Sequence, residues 1–205
     1  MAKRSGVLEY AVLGLLHESP MHGYELRKRL NGLLGAFRAI SYGSLYPCLK
    51  DMLAQGWIVE DGPADAGAPS LSGKRAKIVY RITAEGKERF QQWLAEPGPE
   101  AWEDERFDVH MAFFGRTDAE VRVRILEGRR SRLEERLAAL RQSLARTRER
   151  VDSYTLQLQQ HGLEGVEREV RWLSELLETE TENVRRDRAE NTTTGTGPTR
   201  PGSRG

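Results

Sequence analysis

The 205-residue sequence holds 32 Lys and Arg against 31 Asp and Glu, 38% hydrophobic residues and one cysteine. That length accommodates one or two packed domains; no run of about eighteen apolar residues is present to span a bilayer, and a lone cysteine, Cys48, excludes an internal disulfide framework and fits a reducing compartment. Charge is unevenly placed: residues 1–83 hold 11 basic and 7 acidic side chains, net +4, while residues 84–190 hold 19 and 24, net −5, so attraction to a polyanion belongs to the N-terminal part. Lys3 and Arg4 precede an apolar run that contains Glu9 and Tyr10 and leads to no cleavage pattern, so no secretion leader is expected.

Leu8, Val12, Leu15 and Leu16 recur at helical spacing and predict a first helix with one buried face, Ser5 as N-cap and Glu9 in the first turn. A second helix is predicted from about His22, on Tyr24, Leu26 and Leu30, broken by Gly32 and Gly35. A third has Leu45, Leu49, Met52 and Leu53 as its stripe and stops at Gly56 in a left-handed turn. Ser41 and Ser44 are alternative caps for it. With Ser44 as cap, Pro47 lies in the first turn and no helical bond is lost; with Ser41, Pro47 is interior and removes one. Ile58–Asp61 reads as a short strand and residues 62–73 as a loop. Ile78, Tyr80 and Ile82 then alternate with Val79, Arg81 and Thr83, a half-buried strand. Three helices followed by two strands across a long loop make a winged helix-turn-helix, whose wing carries Lys74, Arg75 and Lys77 on its C-terminal stem.

Thr83 is the expected cap of a helix to about Ala95, with Phe90, Trp93 and Leu94 inward, and Phe107, Met111 and Phe114 form the next stripe. A long helix is predicted from about Asp118 to Gln160. Val123, Arg130, Leu137, Leu144, Val151 and Leu158 make one seven-residue series, and Leu126, Leu133, Leu140, Thr147, Tyr154 and His161 the other. Gly162 and Gly165 are expected to break it, and a last helix on Val166, Val170, Leu173 and Leu177 to fold back antiparallel. Neither helix buries its stripe alone. A homodimer is therefore expected, held through Leu126, Leu133, Leu137, Leu140, Leu144, Val151, Tyr154, Leu158, Val170, Leu173 and Leu177. Residues 191–205 lack apolar content and are expected to be disordered. The expected organisation is mainly α: a winged domain over 1–95, a helical dimerisation domain over 100–190, and a tail.

Tyr42, Ser44, Tyr46, Pro47 and Lys50 fall mainly off the third helix's apolar stripe. Hydroxyls, aromatic edges and one cation on a helix face suit contact with base edges and phosphates in the major groove of double-stranded DNA. Tyr24, Lys28, Lys3 and Arg4 are phosphate candidates, and Lys74, Arg75 and Lys77 place the wing on the backbone or in the minor groove. Bland readings stand beside these: Tyr46 as a core ring against the first helix, Lys50 as a solvated lysine, Cys48 as a small buried hydrophobe rather than an oxidisable switch. No phosphate-binding glycine loop, nucleophile elbow or metal-spaced histidine pair is present, so neither catalysis nor a cofactor or metal is expected.

The pieces also carry a more specific pattern. LEYAVLGLL at 8–16, HGYEL from His22, GSLYPCLKDM at 43–52, GWI at 56–58 and YRITAEGKE at 80–88 stand in an order and spacing that resembles the PadR family of bacterial transcriptional regulators. DERFDVHMAFFG at 104–115 and the long C-terminal region resemble its subgroup with an extended helical dimerisation domain. The resemblance implies a cytoplasmic repressor, with the Tyr46-Pro47 pair on the recognition helix. As a dimer it takes an inverted-repeat operator whose half-sites lie roughly 34 Å apart or a multiple of that. It further implies a small aromatic or amphipathic effector that releases the DNA. The expected pocket lies between dimer halves or between the two domains, lined by Trp93, Trp102, Phe107 and Phe114. A coiled-coil adaptor whose winged domain binds protein is the alternative; it lacks salt-sensitive DNA affinity.

Overall fold

A computed structural model describes residues 3–34, 40–61, 78–147 and 150–194. Helix α1 (Lys3–Glu18) sets the plan of the first half. Rather than one buried face, it has every residue from Tyr10 to Leu16 buried, as a helix does when neighbours cover it on all sides. Tyr10 meets Phe90 at 5.2 Å, Trp93 at 4.0 Å and Phe113 at 5.5 Å between ring centroids, and Leu26, Leu45, Leu49, Met52 and Ile58 complete the same core.

Around α1 lie α2 (Gly23–Leu34), α3 (Tyr42–Ala54), α4 (Ala84–Ala95) and α5 (Asp104–Ala112). Gly32 does not end α2, which runs on to Leu34. A three-stranded antiparallel sheet in the order β1-β3-β2 joins them, from β1 (Met21–His22), β2 (Ile58–Asp61) and β3 (Val79–Ile82). The expected strand pair is there, with Ile58 opposite Ile82 and Asp61 opposite Val79. The third strand, β1, pairs Met21 with Tyr80 and His22 with Val79. His22 thus belongs to the base of the wing, where its Nδ1 donates to the Ile78 carbonyl at 3.1 Å.

The expected domain boundary near residues 95–100 moves to Asp118: the chain divides into units Met1–Asp118 and Ala119–Gly205. The reason is packing. Val109 and Phe113 belong to the α1 core, and a Cβ at Gly14 would fall 2.2 Å from the Phe113 ring, so the glycine admits that ring against the α1 backbone.

The second unit is a helical hairpin of α6 (Ala119–Thr147) and α7 (Ser153–Thr194). The expected turn at Gly162 and Gly165 is not where the chain reverses; α7 runs through both. Asp152 starts it instead, its Oδ1 accepting from the amides of Tyr154 at 2.9 Å and Thr155 at 3.0 Å. The seven-residue series from α6 therefore stops near Leu144. Val151 lies in the turn, and Tyr154 and Leu158 stand 82% and 71% exposed on α7. Leu126, Leu133 and Leu137 bury against Val166, Leu173 and Leu177 within the chain itself, while Leu140, Leu144 and Val170 are half-buried. Arg129, 6% exposed, pairs across the seam with Glu169 at 2.6 Å, and Arg122 with Glu180 at 2.8 Å. The helix also continues over 191–194, the start of the expected tail; 195–205 lie outside the described residues. No helix among the described residues is long and apolar enough to cross a membrane.

A continuous α7 makes a prediction that a turn at Gly162 reverses. A Cβ at Gly162 meets nothing within 4 Å, so Gly162→Ala is expected to stabilise the hairpin by about 0.5–1 kcal/mol, the helix-propensity difference. Urea unfolding of the two proteins measures it, and a destabilised alanine variant contradicts the continuous helix.

Candidate nucleic-acid interface

The candidate recognition helix is α3, and its two ends are fixed by local chemistry. Ser41 is the cap: its Oγ accepts from the Ser44 amide at 3.3 Å. Pro47 is therefore interior, the second of the two alternatives, and removes the bond that would reach Gly43. At the other end Gly56 has φ +72°. Its amide donates to the Leu53 carbonyl at 3.1 Å and the Trp57 amide to Met52 at 3.0 Å, which closes the last turn in a Schellman arrangement.

Burial splits the helix cleanly. Leu45, Cys48, Leu49 and Met52 face the core, and Tyr42, Ser44, Tyr46, Pro47 and Lys50 face solvent. Cys48 is 5% exposed, its Sγ lies 3.7 Å from Met52 Sδ, and burial pushes its thiol pKa up to about 12; it packs as a small hydrophobe. Tyr46 divides between its two readings. Its ring is 49% exposed, yet its hydroxyl end rests against Gly23, at 3.5 Å from where a Cβ would stand.

Helix α2 borders this surface with Tyr24, 63% exposed, and with Lys28. Two further α2 residues shape this surface, and sequence reading missed both. Asn31 takes the backbone of Ile40 in a two-bond clamp, its Nδ2 donating to the carbonyl at 3.1 Å and its Oδ1 accepting from the amide at 2.7 Å. That fixes the residue just before the Ser41 cap. Arg27 places its guanidinium 3.9 Å from the Tyr42 ring centroid, while Tyr42 stacks on Tyr46 at 5.8 Å and 22°. A lone asparagine or arginine on a helix carries no sequence signal of such a partner.

Lys74, Arg75 and Lys77 lie outside the described residues, as do the side chains of Lys3 and Arg4. The described wing stem carries Glu60 and Asp61, and Arg81 is tied to Asp61 at 3.0 Å. The exposed cations of the described surface beside the tyrosines are thus on α2 and α3.

Of the four residues expected to line an effector pocket, Trp93 borders a cavity and the other three do not. A cavity of about 240 Å³ opens within the first unit, bounded by Tyr10 and Leu13 of α1, Trp57, Arg89 and Trp93, and Arg106 of α5. Trp102, Phe107 and Phe114 do not line it; Phe107 and Phe114 are buried elsewhere and Trp102 is half-buried. Tyr10 is 1% exposed and its hydroxyl has no hydrogen-bond partner among the described residues; burial raises its pKa. Arg106 pairs with Glu100 and lies 5.8 Å over Trp93.

His110 packs 5.2 Å from the Tyr10 ring. Burial, with help from Arg106, lowers its pKa from 6.5 to about 4. The unfolded chain therefore takes up this proton first as pH falls. The stability His110 contributes as a neutral ring is complete above about pH 6.5 and is lost as pH falls toward 4. Between pH 7 and pH 4 the natural protein is expected to lose about 3 kcal/mol more stability than a His110→Met variant. Urea unfolding at both pH values tests this; parallel losses contradict it.

Comparison with known proteins bears on the same segment. The sequence profile of the "Transcriptional regulator PadR-like family" matches residues 12–92. The chain is 32% identical over 102 residues to the negative transcriptional regulator PadR of Bacillus subtilis, covering 48% of this chain and 52% of that protein. It spans about half the length of the curated relatives it matches. Two crystal structures of Bacillus subtilis PadR, one with operator DNA and one with p-coumaric acid, align at 24% identity over 85% of this chain and 99% of theirs, with TM-scores of 0.39 and 0.38. Residues 12–92, the segment that runs from α1 into α4, are thus similar to the transcriptional regulator PadR-like family.

Proposed function

We propose that the chain is a cytoplasmic, dimeric transcriptional repressor that reads an inverted-repeat operator with α3. The observation that carries this reading is the division of α3. One side locks into the α1 core, and the other offers Tyr42, Ser44, Tyr46 and Lys50 to solvent beside Lys28. Tyrosine rings and hydroxyls suit base edges and thymine methyls, and the lysines suit phosphates. Lys74, Arg75 and Lys77 add the wing's backbone contact, and Lys3 and Arg4 that of the N-terminal arm.

Dimerisation rests on α7. Tyr154, Leu158 and Trp172 are exposed at offsets of four and fourteen residues, hence on one side of the helix. A second copy covers such a face most simply, and a twofold dimer presents two recognition helices. Release by a small aromatic or amphipathic effector is the finer part of the reading. The cavity against Trp57 and Trp93, with the unpartnered Tyr10 hydroxyl, supports it.

Fluorescence anisotropy of the full chain on a duplex enriched from a random library tests the function. Affinity is expected to fall steeply from 50 to 200 mM salt and to exceed that for a scrambled duplex. Salt-independent or absent binding overturns the reading in favour of a protein-binding adaptor. Adding p-coumaric acid, the compound bound in one Bacillus subtilis PadR structure, is the first probe of release.

A further inference from the structure

Among the cations beside α3, Arg27, half-buried on α2, stands in an unusual position. Its neighbour Arg29 is spent on carboxylates, with Glu25 at 2.9 Å and Glu18 at 3.9 Å. Arg27 has no carboxylate partner among the described residues, and its Nε is buried without any hydrogen-bond acceptor. What holds it is a ring: the guanidinium lies 3.9 Å from the Tyr42 centroid, well inside the distance at which a cation is attracted to an aromatic face. Tyr42 in turn lies nearly parallel to Tyr46, and Tyr46 rests its hydroxyl end against Gly23 at the start of α2. Arginine, tyrosine and tyrosine thus form a continuous stack that ties the first turn of α3 to α2.

Tyr42 is the first residue of α3 and is 39% exposed. Without the stack its side chain is free to rotate, and ordering it on DNA costs side-chain entropy. With the stack, both rings are held before DNA arrives. We propose that Arg27 is a specificity-determining positioning residue: it clamps Tyr42 so that Tyr42 and Tyr46 meet the bases as one rigid surface. The inference rests on the DNA-binding reading of α3 and deepens it. It requires a planar guanidinium, because an ammonium keeps the charge but loses the flat stacking face.

The test uses the full chain, a library-selected duplex and its scrambled counterpart, over a salt series. Arg27→Lys is expected to lower the selected-to-scrambled affinity ratio about tenfold while the salt slope stays the same. The double variant Arg27→Lys plus Tyr42→Ala is expected to lose no more discrimination than Tyr42→Ala alone, because both remove the same clamp. Thermal unfolding of each variant confirms a folded protein. An Arg27→Lys variant that keeps its ratio overturns the inference, as do losses that simply add. So does an Arg27→Gln variant that weakens all duplexes equally, with a slope reduced by about one, since that marks a phosphate contact. Absence of salt-sensitive, sequence-preferring binding by the unaltered protein is distinguishable from all three and overturns the DNA-binding reading itself.

Discussion

Replacing Tyr42 and Tyr46 together with alanine is expected to lower affinity for a selected duplex by about thirtyfold and affinity for a scrambled duplex far less. The magnitude follows from two base-edge contacts at about 1–3 kcal/mol each, taken at the low end because the rings share one stack. The rings are exposed at 39% and 49%, so stability changes little and the loss is one of recognition. Single phenylalanine replacements separate the parts. If a hydroxyl reads a base, Tyr42→Phe alone shifts the preferred sequence; if only the ring matters, it leaves the preference in place. Lys28→Ala and Lys50→Ala provide the contrast. They are expected to weaken every duplex alike and to flatten the salt dependence by about one counterion each. Binding-site selection followed by anisotropy measures these variants, and an unchanged preference in the double tyrosine variant removes α3 from the groove.

The second large effect belongs to the fold. Gly14→Ala is expected to destabilise the first unit by about 3 kcal/mol, at the upper end for overpacking, and to lower its thermal midpoint by about 10 °C. The new Cβ falls 2.2 and 2.4 Å from Phe113 ring carbons. Phe113 has little room to retreat: it is 4% exposed and wedged against Phe90 and Tyr10, with ring centroids 5.5 Å away in both cases. Adding Phe113→Leu to Gly14→Ala is expected to recover part of the loss. Gly115→Ala, whose Cβ meets nothing, serves as the neutral control. A Gly14→Ala protein as stable as the natural one contradicts the placement of α5 and its flanking turns in the winged unit.

Where the chain announced its structure, the signal was local. Ser41, Thr83 and Gly56 act through bonds within a few residues: a capping hydroxyl accepting an amide, or a backbone at φ +72°. The apolar stripe of Leu45, Leu49 and Met52 buries as its spacing predicts. Where reading fell short, the cause lay in partners distant along the chain. Nothing near Gly14 specifies Phe113, and nothing near Arg27 specifies Tyr42. Strand β1 is two residues long and exists only because β3 offers it an edge.

The hairpin turn shows a different lesson. Two glycines in α7 looked like a break, yet each costs a helix only about 1 kcal/mol, which packing absorbs. The actual reversal is set by Asp152, a cap that stands inside the span predicted as one long helix. Misplacing that turn also misassigned the helical seam. Leu126, Leu133 and Leu137 join the two helices of one chain, which leaves Tyr154, Leu158 and Trp172 as the exposed apolar side.

Hydroxyl-radical footprinting of the protein on its selected duplex is the most direct test of how α3 is used. Two protected patches are expected on the same face of the duplex, their centres roughly 34 Å apart or a multiple of that, both vanishing when Tyr42 and Tyr46 are alanine. A single patch, or uniform protection that ignores those substitutions, contradicts a paired regulator that reads DNA through this helix.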